Sequence, residues 1–147
     1  GCGGDSGVRG ERGEWINGSN LSVNVTFVSG AHAMIDVRND SPQPVTITPM
    51  KVTAWFEDAG RVASSNIFGV FDAESPLIQA QFEVTAKDGG SRFLTADDTN
   101  PDLTLQSGES VTLPLGVWTF SAEPTDRLRR VRVSIGPPGA EEIFTIE

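Results

Sequence analysis

The sequence predicts an all-β fold, a sandwich or barrel of about seven to nine antiparallel strands. Three observations carry that expectation. Apolar residues recur at every second position along much of the chain, the period of a strand with one buried face. Clusters of Gly, Pro, Asn and Asp interrupt those runs, and such clusters supply tight turns. No long segment carries the 3.6-residue period of an amphipathic helix.

Residues 1–14 stand apart. Six of the fourteen are glycine, and the charged residues Arg9, Glu11, Arg12 and Glu14 alternate in sign. Such a segment buries little apolar surface, so it is expected to be a flexible tether reaching roughly 20 Å. Residues 15–147 are then one domain, with Trp15 expected to plug the sandwich where the tether meets it. Leu21, Val23, Val25 and Phe27 form the inward row of the first clear strand. Ile35 and Val37 continue the core row, and Asn39-Asp40-Ser41-Pro42 is a turn. Val45 and Ile47 resume the alternation, but Val52, Ala54 and Phe56 take the opposite parity. A bulge near Pro49-Met50 is the expected cause.

Residues 62–71 and 77–85 read as strands, and Arg92-Phe93-Leu94 as a short one. Residues 111–117 and 130–135 alternate well, and 142–146 is the closing strand.

Composition bounds the function. A chain of 147 residues can bury a core without cross-links. Its net charge of −9 repels nucleic-acid phosphates, so no nucleic-acid partner is expected. One Cys, one His and no Tyr leave little for a nucleophile–base pair or a zinc site. His32 opens a strand with nothing in the sequence to place an orienting acid beside it, and is expected to be structural. The chain is therefore expected to be neither an enzyme nor a cofactor carrier. No apolar run reaches the roughly 18 residues of a membrane span.

The chain opens Gly1-Cys2-Gly3-Gly4-Asp5-Ser6-Gly7. A lone cysteine heading a glycine-rich segment resembles the mature end of a bacterial lipoprotein. The resemblance implies a diacylglycerol on the Cys2 thiol, cleavage after a small residue that Gly1 fits, and export to the outer membrane, periplasm or cell surface. Several acyl chains make such anchoring stable. Gly3 rather than Asp after the cysteine resembles an outer-membrane address.

Two further stretches are similar to the immunoglobulin-like domains of bacterial surface lipoproteins. One is Ile35-Asp36-Val37-Arg38-Asn39-Asp40-Ser41 with Pro44-Val45-Thr46-Ile47. The other runs Leu103-Thr104-Leu105-Gln106-Ser107-Gly108-Glu109-Ser110-Val111-Thr112-Leu113. Trp55-Phe56-Glu57-Asp58-Ala59-Gly60 fits the same meander. The resemblance implies a single immunoglobulin-like β-sandwich behind the tether.

Several residues are candidates for contact. Trp55 has the parity opposite to Ala54 and Phe56, which places it on the outer face; Trp118 is outward by parity with Val117. An exposed indole can stack on a sugar or anchor a protein partner. Four of the eleven basic residues fall at Arg127, Arg129, Arg130 and Arg132. Arg130 and Arg132 take the outward parity, where they can pair with neighbouring carboxylates or meet lipid headgroups, acidic glycans or an acidic partner. Asp98, Asn100, Asp102 and Glu109 partly match a calcium loop, but Leu103 stands where the sharp turn needs glycine. A polar loop is the plainer reading. Asn17, Asn20, Asn24 and Asn39 each begin Asn-x-Ser/Thr, a glycosylation pattern in some hosts and turn chemistry in most bacteria.

The expected function is a non-enzymatic envelope lipoprotein, held to the membrane by its lipid and acting as an interaction or assembly module for another envelope protein. The alternative is a carbohydrate-binding module using exposed tryptophans.

Overall fold

The computed structural model describes residues 7–29, 32–47, 51–57, 62–66, 80–96, 103–115, 127–137 and 139–147. These residues contain strands and no helix, so the fold is all-β as expected.

One sheet runs β1 (Val8–Gly10), β13 (Glu142–Ile146), β12 (Leu128–Ile135), β6 (Lys51–Phe56), β7 (Val62–Asn66). The other runs β2 (Trp15–Asn17), β3 (Leu21–Ser29), β4 (His32–Asn39), β11 (Ser110–Leu115), β8 (Ala80–Thr85), β9 (Ser91–Ala96). A small ribbon joins β5 (Val45–Ile47) to β10 (Leu103–Leu105). Neighbours are antiparallel except β1, which lies parallel to β13. Four strands are only three residues long, β1, β2, β5 and β10. They take the strand number above the seven to nine expected, because so short a run has too few alternations to be read.

The period-two rows become the core. Val23, Val25, Ile35, Val37 and Leu113 from the six-stranded sheet share one cluster with Phe56, Val131, Val133 and Phe144 from the five-stranded sheet. Val45, Ile47, Leu103 and Leu105 of the ribbon join it. Burying such side chains contributes about 1.5–3 kcal/mol each against an exposed reference, so the two sheets are held together through this shared layer. The parity switch between Ile47 and Ala54 coincides with a change of sheet. β5 and β6 belong to different sheets, so their inward faces are set independently. The expected bulge position itself lies outside the described residues.

The tether expected over residues 1–14 is corrected in its second half. Val8 and Gly10 lie in register with Phe144 and Ile146. Beyond them the Arg12 N–H donates to the Glu147 carbonyl at 2.9 Å, and the Gly13 N–H to the Val25 carbonyl at 2.7 Å. The Arg12 guanidinium stacks on Phe27 at 3.9 Å and donates to the Arg129 carbonyl at 3.1 Å. A sheet edge recruits backbone hydrogen-bonding groups whatever the side chains, which is why composition concealed this strand. Glycine also permits the approach: a Cβ on Gly7 would sit 2.8 Å from the Ile143 carbonyl oxygen. Residues 1–6, with Cys2, lie outside the described residues.

Trp15 is not a plug. Ile16 is 6% exposed and takes the inward position of β2, so its neighbour Trp15 faces out at 42%.

Candidate functional site

The outer face of the five-stranded sheet brings together three of the expected contact residues. β12 buries Leu128, Val131, Val133 and Ile135. Its register against β6 slips between Leu128 and Arg130. Arg129 is the extra residue, so Leu128 and Val131 both point inward while Arg129 and Arg130 face away from the core. Bulges re-aim side chains in this way. Beyond it Arg130 lies opposite Trp55, and Arg132 opposite Thr53.

The consequence is a stacked cluster. The Arg130 guanidinium lies 4.3 Å from the Trp55 ring centroid and the Arg132 guanidinium 5.4 Å from it. Both distances are within cation–π range. Arg130 also reaches Glu147 at 3.3 Å, a pair whose glutamate side chain is 56% exposed. An ion pair that open to water contributes little stability. The Arg130 Nε is buried without a hydrogen-bond partner among the described residues. Trp55, Arg130 and Arg132 line a cleft of about 140 Å³ with Arg9, Ile143 and Thr145. A second cleft of about 400 Å³ shares Arg9 and Thr145 with it. Glu11 and Glu147 stand beside Arg9 and Arg12 in that larger cleft, whereas the smaller one is a groove crossing β1, β13, β12 and β6. Arg9 forms no ion pair among the described residues. In a chain of net charge −9, this groove is a cationic strip with an aromatic floor. It suits carboxylates, since guanidinium binds them in a planar, two-point fashion.

The other expected residues separate from it. Trp118, Asp98, Asn100 and Asp102 lie outside the described residues. Glu109 is described, and its carboxylate is already used. Arg92 Nε and Nη2 donate to it at 2.9 and 2.8 Å, and the Gln106 N–H at 2.7 Å. The Arg92 hydrogen bond holds the Glu109 carboxyl below its ordinary pKa; burial opposes the shift and the Gln106 N–H adds to it. A cation at Glu109 would have to displace that guanidinium. Among the described residues no group of three His, Cys, Asp or Glu is placed to hold a metal ion. His32 does begin a strand, β4, opposite Ser29.

Sequence reasoning missed Arg9, hidden in the expected tether, and the neighbourhood of Trp15. Arg38 stacks on Trp15 with its Cζ 4.3 Å from the ring centroid. Its Nε donates to Asp40 Oδ1 at 2.6 Å. The outward parity of Arg38 beside the buried Val37 is a usable signal for its exposure, but its reach across β3 to Trp15 on β2 is not, because that depends on strand order and register.

Comparison of the chain with protein-family models, with curated proteins and with solved structures returned no match.

Proposed function

We propose that this protein is a non-enzymatic, lipid-anchored envelope module that docks an acidic partner protein on the outer face of its five-stranded sheet. The observation that carries this reading is the convergence of Arg130 and Arg132 on Trp55 in an acidic chain. Tryptophan and arginine dominate binding energy at protein interfaces. Stacking on the indole fixes both guanidiniums before a partner arrives, which lowers the entropy lost on docking.

The immunoglobulin-like form belongs to the same proposal, and connectivity supports it. β3-β4-β11-β8 follow the A-B-E-D order of one sheet, and β6-β12-β13 the C-F-G order of the other. Lipidation of Cys2 is supported by the glycine-rich residues around it. With β1 in the sheet, only four residues lie between Cys2 and Gly7, which are five residue steps apart. Full extension spans about 18 Å, so an anchored chain holds the Arg9 end of the groove near the bilayer and its partner in the same membrane. The carbohydrate alternative loses support at Trp55, where Arg130 and Arg132 crowd the ring that a neutral sugar would need.

The test is affinity purification of the full-length lipidated protein from crosslinked native membranes, beside Cys2→Ser and the double variant Arg130→Glu/Arg132→Glu. The proposal expects one stoichiometric acidic partner with the anchored protein. Charge reversal should reduce recovery at least about tenfold with the melting temperature little changed, as expected when a desolvated charge pair is broken. Equal recovery with the double variant would overturn it.

A further inference from the structure

A further cleft among the described residues lies on the opposite sheet, away from the proposed docking face. It has a volume of about 500 Å³, within the range of small-ligand sites. Trp15 forms one wall, and Arg38, Asp40, Thr85, Lys87 and Ser110 complete it. The register explains the gathering. Arg38 pairs with Ser110, and Ser110 with Thr85, so their side chains form one row across β4, β11 and β8. Their chain neighbours Val37, Val111 and Val84 are buried, which turns this row outward. Hydroxyls on neighbouring strands repeat about every 4.8 Å.

The charges in the cleft are built rather than scattered. Arg38 donates to both carboxylate oxygens of Asp40, at 2.6 and 3.3 Å, and the Ser22 hydroxyl donates to the same group. That pair is internally neutral. Lys87 forms no ion pair among the described residues. Its stem lies along Gly108, where a Cβ would approach the Lys87 Cβ to 3.2 Å. The glycine, at φ +81°, therefore gives the lysine its seat. The cleft thus carries two cations, Arg38 and Lys87, against one carboxylate, Asp40, whose pKa both of them lower. The net single positive charge lies beside an indole that is 42% exposed and covered by a single guanidinium. Apart from that indole the apolar lining is no larger than Ala86. An apolar peptide side chain finds no pocket here. A sugar ring needs only a flat apolar wall and a row of groups that both donate and accept hydrogen bonds.

We infer that this cleft binds an acidic saccharide, with a sugar ring against Trp15, its hydroxyls on the Ser110 and Thr85 row, and its carboxylate on Lys87. Hexagalacturonate and a hyaluronan hexasaccharide are the probes, with cellohexaose as the neutral control and a hexaglutamate peptide as the charge control. Binding is followed by calorimetry and by amide NMR shifts on the full chain. The inference expects a uronate hexamer to shift the Trp15 indole N–H and the Lys87 and Gly108 amides. Lys87→Gln, an exposed change that leaves the fold intact, should weaken uronate binding about tenfold and remove the preference over cellohexaose. Trp15→Ala should weaken both sugars about tenfold or more. Three results would each overturn it: no shift at those positions with either uronate hexamer, hexaglutamate binding as tightly as the uronates, or unchanged affinity in both variants.

Discussion

Asn39 shows how much one polar side chain holds in this molecule. It is fully buried, and its Nδ2 donates to the Gln43 and Leu105 carbonyls at 2.8 and 3.0 Å. Its Oδ1 accepts the Ser41 N–H at 2.9 Å. It therefore ties the turn after β4 to the β5–β10 ribbon. Truncation would strand the Leu105 carbonyl and the Ser41 N–H in the interior, at about 1–3 kcal/mol for such a group, while the Gln43 carbonyl keeps the Ser41 hydroxyl at 2.8 Å. Asn39→Ala is predicted to cost about 3 kcal/mol, read from the denaturant midpoint. The sequence announced a turn at Asn39-Asp40-Ser41; it did not show that the asparagine faces inward, because Asn suits an exposed turn equally well. Burial also removes Asn39 from the set of folded-state glycosylation acceptors. Glu109 and Asp40 make the matching point about pH. Arg92 lowers the pKa of Glu109, and Arg38 that of Asp40, in each case mainly by hydrogen bonding. A carboxylate with a depressed folded-state pKa stabilises the fold above its unfolded value and loses that contribution as pH falls through the folded one. Stability should therefore drop below about pH 4. In Glu109→Gln the drop should be shallower, as urea titrations at several pH values would show.

At the scale of the element, legibility followed length. β3, β4, β12 and β13 were readable because each repeats the inward–outward alternation several times. β1 was not, since Val8-Arg9-Gly10 carries one apolar residue and that one is 38% exposed. What defines β1 is backbone pairing and close approach. A Cβ on Gly10 would run into the Ile16 side chain. Gly10→Ala is predicted to cost about 1–3 kcal/mol through overpacking, measured by chemical denaturation. A flexible tether would tolerate the same change without loss. The slip at Arg129 in β12 was equally hidden, because the partner strand sets a bulge and the sequence of β12 alone does not name that partner. The pair Trp55–Arg130 is thus a product of register: parity placed both residues outward, and only pairing of β6 with β12 put one on the other.

At the scale of the whole molecule, three arginines from distant parts of the chain gather in one place. The chain carries 20 acidic and 11 basic residues, yet Arg9, Arg130 and Arg132 share a single groove. Electrostatic attraction between that groove and an acidic surface is screened over about 8 Å at physiological salt. Partner association should slow as salt rises, with the dissociation rate changing less. The all-β class was legible from composition and period, because those depend only on local chemistry. Sheet order was not, since it depends on which distant strands share a core.

The central claim is that the Trp55–Arg130–Arg132 groove is the docking face. The most direct measurement is photocrosslinking from a benzophenone on a cysteine introduced at Thr145, inside the groove, beside one at Thr26 on the other sheet. Each is mixed with native envelope membranes, in a chain whose Cys2 is lipidated or replaced by Ser. The account predicts one dominant adduct from Thr145→Cys that is absent from Thr26→Cys and disappears with Arg130→Glu/Arg132→Glu. The same adduct from both positions, or an adduct from Thr26→Cys alone, would contradict it.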